Sequence, residues 1–191
     1  MGIRNMQVRD QCRWGMLGVS ALLSLGSALE ANAGSPVTGT LAVSATITDN
    51  CAINATNTLA FGAYDPVVTN NGTTGVDLTG AGSLGIICTN GDSITVALDG
   101  GANGGSGTPT APARHMASGG VLLAYNLFQP TSAGTGGAGT VTTTVWGGTG
   151  ATFTYTATGA VDTVNVFGTV PKGQAIAQGT YNDTVNVTVN F

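Results

Sequence analysis

The sequence predicts an all-β fold, a sandwich of two sheets, from three observations. The chain has 191 residues with 31 Gly and 30 Thr, residue types that are typical of tight turns and of strands respectively. Short apolar runs alternate with small polar residues at a period of two, and Gly-rich segments separate them. No amphipathic helical pattern follows residue 33. Short strands at this spacing favour a two-sheet sandwich.

The first element, residues 1–33, is predicted to be an export signal. Three arginines precede an apolar stretch of 15 residues, Trp14 to Ala28, and Ala31-Asn-Ala33 has the small-x-small pattern of a cleavage site. We therefore expect cleavage between Ala33 and Gly34, which leaves 158 residues for one domain. A single transmembrane anchor is the alternative, although the stretch is short and rich in Gly and Ser.

The mature chain then opens and closes on strand-like segments. Residues 34–48 form a leader in which apolar side chains occupy every second position: Leu41, Val43, Ala45 and Ile47. The last segment has the same period at Val185, Val187, Val189 and Phe191. A loose strand at the front and an open edge at the back suit a subunit that polymerises by lending its strand to a neighbour.

Between these ends the sandwich domain, residues 49–191, is predicted to contain further strands separated by Gly-rich turns. The full set of predicted strands is 40–48, 50–53, 84–89, 93–98, 121–128, 140–145, 152–158, 161–170 and 180–191. Tyr181 precedes the final apolar run, and a Tyr there either bonds back to a loop and fixes the corner or is an ordinary strand-edge residue.

Removal of the export signal would also change the number of cysteines in the mature protein. Cys12 leaves with the signal, so Cys51 and Cys88 remain as an isolated pair, which usually forms a disulfide in an oxidising compartment. The closed loop of 38 residues would be worth roughly 4 kcal/mol in the chain-entropy model. A metal site is the weaker alternative, because residues 34–191 contain one His and neither cysteine lies in a C-x-x-C pair.

The net charge of residues 34–191 argues against two classes of binding partner, nucleic acids and anionic membranes. Residues 34–191 carry two basic side chains against seven aspartates, a net charge of −5. Nucleic acid binding needs a basic face, and so does attraction to anionic membranes. We therefore expect no nucleic acid partner.

The motifs that could carry chemistry are weak. Residues 134–139 match G-x-G-x-x-G, but a β-type run follows them where a dinucleotide site needs a helix. His115 is expected to lie in a loop, with no nucleophile or acid marked by spacing as its partner. The aspartates lack the alternation of a calcium loop. We expect no enzyme and no catalytic, cofactor or metal site.

Taken in order, short sequence pieces resemble the spore coat protein U domain family, which includes subunits of archaic, Csu-type chaperone–usher pili. The resemblance covers nearly all of residues 34–191. It is carried by the alternating leader up to Cys51, Phe61-Gly-Ala-Tyr64-Asp-Pro66, Cys88-Thr-Asn-Gly91, 94–101, Arg114-His-Met116, 123–128, Trp146-Gly, Val166-Phe-Gly168, Val170-Pro-Lys-Gly173, 178–183 and 187–191.

The resemblance implies an incomplete immunoglobulin-like, pilin-type sandwich that lacks its last strand. It implies an intradomain disulfide between Cys51 and Cys88, and a groove beside the C-terminal strand. A periplasmic chaperone would fill that groove first. The leader of an identical or related pilus subunit would replace it at an outer-membrane usher, giving a surface fibre that supports adhesion and biofilm formation. Ala42 and Ala45 make this leader less bulky than a typical one.

Two other functions fit the same sequence. Some members of the family are spore coat components, so a coat or cell-surface layer protein with the same fold is the first alternative. A secreted carbohydrate-binding sandwich is the second, but it needs exposed aromatic side chains in a cleft, and Trp146 is the one Trp in residues 34–191.

Overall fold

The structure, a computed structural model, describes residues 34–137 and 139–191. The predicted export signal with its last residue Ala33, and Cys12 within it, lie outside the described residues. The described chain divides into two units, residues 34–44 and residues 45–191. Residues 34–44 are exposed and contain no strand.

Residues 45–191 confirm the predicted all-β fold, since the described residues form nine strands and no helix. The strands are β1 (Cys51–Asn57), β2 (Leu78–Cys88), β3 (Ser93–Leu98), β4 (Arg114–Ser118), β5 (Val121–Pro130), β6 (Val141–Val145), β7 (Phe153–Thr156), β8 (Val161–Val170) and β9 (Val187–Asn190).

The nine strands form two sheets. The larger has the order β1-β2-β8-β5-β4, with β6 paired to β5 as well, and the smaller has the order β7-β3-β9. All strand pairs are antiparallel. The longest is β2 with β8, which stay in register over ten residue pairs from Leu78–Val170 to Ile87–Val161.

The core follows from period-two burial. In β8 every second residue is buried, and β3 buries Ile94, Val96 and Leu98 in the same way. Their side chains join those of β2 and β5 in one apolar cluster. Trp146 is fully buried against Phe153 and donates its indole N–H to the Val96 carbonyl at 2.9 Å. Alternation therefore predicts both the strands and their inner faces.

The prediction of a strand at 40–48 is wrong for the chain described here, because these residues adopt no regular structure. Leu41, Val43 and Ile47 are 88%, 86% and 78% exposed, and Ala45 is exposed as well. A strand needs a neighbour to satisfy its backbone N–H and C=O groups, and period-two alternation does not supply one.

Two further predictions need correction. The last strand is confined to Val187–Asn190 rather than 180–191, because residues 182–186 bond elsewhere. His115 lies in β4 rather than in a loop, opposite Ala124 of β5. The sequence of β4, Arg-His-Met-Ala-Ser, has few residues of high strand propensity, and its pairing with β5 decides its conformation.

Candidate functional site

The candidate site is a groove between the two sheets, on the side where both have an open edge. β1 pairs with β2 alone and β9 pairs with β3 alone among the described strands. Between them lies a cavity of about 380 Å³, lined by both sheets. A second cavity of about 660 Å³ continues it towards residues 176–180. The two share six lining residues: Thr58, Leu59, Phe61, Met116, Tyr181 and Asn182.

One wall of this groove is formed by residues 56–61, which are the end of β1 and the segment that follows it. Leu59 and Phe61 pack where β2 and β8 carry glycines: a Cβ at Gly168 would lie 2.6 Å from the Phe61 ring, and one at Gly80 would lie 3.0 Å from it. Phe61 also meets the Tyr125 ring edge-on, with centroids 5.9 Å apart. Small residues in the two paired strands therefore create the slot that holds this wall.

The floor of the groove is apolar. Leu84, Leu98, Leu127 and Val166 are each less than 8% exposed and come from four different strands. The opposite wall contains Val185 and Val187, which are half-buried and pack on the same core. Val189 also packs on the core, but it does not line the cavity. Phe191 does not line the cavity either and is 59% exposed. An extended segment with one apolar face would fit here.

The groove has one polar corner, at Asp183. Its carboxylate accepts hydrogen bonds from the Tyr125 hydroxyl at 2.7 Å and from the Asn103 backbone and side-chain N–H groups at 3.1 and 3.0 Å. Gly101 has a φ of +80°, and a Cβ there would collide with this carboxylate. Burial and the bond to Asp183 raise the pKa of Tyr125 well above its usual range, so this hydroxyl stays a donor.

The buried Arg114 side chain lies next to this polar corner and fixes the backbone around it. Arg114 is 1% exposed and donates to the carbonyls of Asp99 and Leu98 at 2.8 and 3.0 Å. Asp99 in turn accepts from Asn186, just before β9. Burial raises the pKa of Asp99, but hydrogen bonds from Gly101 and Asn186, with the Arg114 charge, outweigh it and hold the pKa below its usual value. The cluster ties the start of β9 to both sheets.

Two predicted local features are present. The Tyr181 hydroxyl donates to the Ala177 carbonyl at 2.8 Å, so this Tyr does bond back and fix the corner before β9. Cys51 and Cys88 form the predicted disulfide between β1 and β2, where they lie directly opposite each other.

A sequence model of the spore coat protein U domain matches residues 37–188. This chain belongs to the spore coat protein U domain family. It is 40% identical over 139 residues to Protein U of Myxococcus xanthus, an alignment that covers 70% of this chain and 72% of Protein U.

A solved structure also matches this spore coat protein U domain chain at 24% identity, with a TM-score of 0.48 over 76% of the chain. It is the CsuC–CsuE chaperone–tip adhesion subunit pre-assembly complex from the archaic chaperone–usher Csu pili of Acinetobacter baumannii. This chain spans 40% of the chain that it matches there.

Within the described part of this spore coat protein U domain chain, no three His, Cys, Asp or Glu residues are grouped as a metal site would need. No helix among the described residues is long and apolar enough to cross a membrane.

Several residues that line or support the groove had no role predicted from the sequence: Arg114, Asp99, Tyr125, Asp183 and the glycines under Phe61. Arg114 did carry a signal, since it is one of two basic residues in 34–191 and lies near apolar strands. The glycines carried none, because they are 2 among 31 and their role depends on which strands become neighbours.

Proposed function

We propose that this chain is a structural subunit of a cell-surface fibre assembled by donor-strand complementation. In this proposal the leader of one copy, residues 34–48, fills the groove beside β9 of the next. The observation that supports it best is that one chain has both an exposed segment with an apolar face and an open apolar groove. Each part exposes surface that the other would bury.

The energetics favour such an exchange. Leu41, Val43 and Ile47 are almost fully exposed, and burying each would stabilise an assembly by roughly 1.5–3 kcal/mol. The free edge of β9 offers backbone N–H and C=O groups along the whole strand, which sets the length and register of an added strand. Left unpaired, such an edge next to an apolar groove is prone to aggregation.

The export route follows from this exposure. A subunit with an open groove needs a temporary partner, so we propose that a periplasmic chaperone fills the groove after the signal is cleaved at Ala33. At an outer-membrane usher the leader of another identical or related subunit then replaces the chaperone strand. The fibre would reach the cell surface and support adhesion and biofilm formation. We propose no enzymatic activity, cofactor or nucleic acid partner for this fibre.

A coat or surface-layer protein is the second candidate, and membership of the spore coat protein U domain family favours it. The same exchange of strands would then join copies into a layer. Electron microscopy of assembled protein separates the two, because the first candidate gives unbranched fibres and the second gives sheets or amorphous shells.

A peptide experiment tests the shared step. A fluorescent peptide of residues 37–48 should bind the exported chain and shift assemblies towards capped single subunits. The matched control is the same peptide with Val43→Asp, which should bind at least tenfold more weakly. Equal binding of the two peptides, or no binding of either, would refute donor-strand complementation by this segment.

A further inference from the structure

The leader enters the sandwich at one defined place, residues 48–50. There the Asn50 N–H donates to the Thr89 hydroxyl at 3.0 Å, and the Thr89 N–H donates to the Asn50 carbonyl at 3.0 Å. The next residue is Cys51, the first of β1, which is bonded to Cys88, the last of β2. Any pull on the leader therefore passes the Asn50–Thr89 hydrogen bonds and reaches the disulfide before it reaches the remaining pairs of β1 with β2.

The strand behind this point is weakly held. Six of the seven residues of β1 are exposed. β1 has six paired positions with β2, interrupted by a register shift between Ile53 and Ala55, whereas β2 and β8 share ten without a break. Because fewer pairs and fewer buried side chains oppose it, β1 should detach before β2 when the leader is pulled.

The groove wall comes next along the chain. The wall, residues 56–61, comprises the last two residues of β1 and the four that follow it, and both β1 and the wall lie inside the loop that the disulfide closes, 51–88. Leu59 and Phe61 are half-buried and stay in place by packing over Gly80 and Gly168. Detachment of β1 would therefore transmit force to the wall and widen the groove.

We propose that the Cys51–Cys88 disulfide diverts tension from the leader straight into β2, and so keeps the wall of the same subunit's groove free of load. In a fibre, tension on the leader would then leave undisturbed the groove that holds the following subunit's leader. The claim that the leader bears load between copies rests on the proposed function. The claim about the order in which the strands of a single molecule detach is independent of that function.

Single-molecule force spectroscopy tests this order. Handles at residues 34 and 191 of the folded, oxidised chain apply force, and reductant is then added to the same molecules, so that folding without the disulfide is not required. Reduced molecules should show an early extension at a force below that of the main unfolding step. Complete unfolding of reduced molecules should release the 37-residue separation between the cysteines, which corresponds to about 130 Å at roughly 3.5 Å per residue. The early extension should be shorter than this, because β2 is still folded when β1 detaches.

A second attachment point provides the control. A handle introduced at Thr89 by a non-cysteine chemistry loads β2 directly, so reduction should add no early step there. The proposal is overturned if reduced molecules pulled from the leader unfold in one step at the oxidised force. An early step of the same length in oxidised molecules, or loss of the fold at zero force on reduction, would overturn it as well; a short step from β9, which the handle at residue 191 loads directly, should not change on reduction. If these results hold but the leader peptide does not bind, the proposed function fails and the load path stands.

Discussion

The Tyr125 hydroxyl of β5 donates a 2.7 Å hydrogen bond to Asp183 Oδ2, and so joins the larger sheet to the segment that leads into β9. Tyr125 is 5% exposed, and its ring faces Phe61 of the groove wall. This one pair therefore connects the floor, the wall and the C-terminal edge of the groove.

The first prediction concerns this bond. Tyr125→Phe should lower the free energy of unfolding by about 1–3 kcal/mol, because a charged acceptor loses its buried donor. The measurement is urea unfolding at pH 7. Tyr155→Phe is the matched control, since the Tyr155 hydroxyl is buried without a hydrogen-bond partner and its removal should cost little. A Tyr125→Phe variant no less stable than Tyr155→Phe would contradict the role of the bond.

A second prediction concerns the stability of the fold at acidic pH. The folded pKa of Asp99 lies below its usual value of 3.8, so the unfolded chain binds more protons in acid, and stability rises with pH there. The contribution should be complete above about pH 5 and should fall away as the pH drops through the folded pKa. Asp99→Asn should flatten this slope between pH 5 and 3 in urea unfolding. Asp65, whose pKa is also lowered by backbone hydrogen bonds from Val67 and Val68, remains in the variant, so part of the slope should persist. An unchanged slope would show that Asp99 does not contribute.

The third prediction separates the leader from the domain. Val43→Asp should leave the isolated sandwich folded but stop polymerisation, because an unpaired carboxylate in an apolar groove costs several kcal/mol. Ser44→Asp is the matched control: it adds the same charge at the next position, on the opposite face of an extended strand, and should still assemble. Thermal unfolding and size-exclusion chromatography together report both effects.

Val187→Asp completes that comparison. Val187 packs on the core of its own domain, so this variant should lower the melting temperature of the monomer itself. If Val43→Asp unfolds the monomer as severely as Val187→Asp does, the leader packs in its own domain and the fibre hypothesis loses its main support.

A fourth prediction concerns strand direction. Residues 39–48, fused behind Phe191 through a linker, should fill the groove of the same chain and give a stable monomer. A turn of about four residues allows only an antiparallel return along β9, whereas a linker of roughly ten residues can span the strand and also allows a parallel entry. The linker that gives the larger rise in melting temperature identifies the direction. No rise with either linker would argue against the groove as an acceptor for this segment.

The fifth prediction concerns processing. N-terminal sequencing of exported protein should begin at Gly34, because the small-x-small pattern ends at Ala33. Exported protein that retains residue 1 would instead favour the membrane anchor.

Local pattern in the sequence determined the all-β class and the bounds of β3 and β8, both seen as predicted at 93–98 and 161–170. These two strands alternate strictly and bury one face, so period and propensity agree. The isolated cysteine pair likewise predicted the disulfide, because only one pairing was possible.

Only the tertiary structure decided the features that depend on contacts between segments distant in sequence. β4 is a strand because β5 pairs with it, whereas the leader alternates like a strand but pairs with no strand among the described residues, so it is exposed and has no regular structure. Arg114 is buried because two carbonyls and the Asp99–Asp183 region surround it. Phe61 can form the groove wall because Gly168 and Gly80 lie side by side, 88 residues apart in sequence. Such relations arise from contacts between distant segments, and neither propensity nor period encodes which segments will meet.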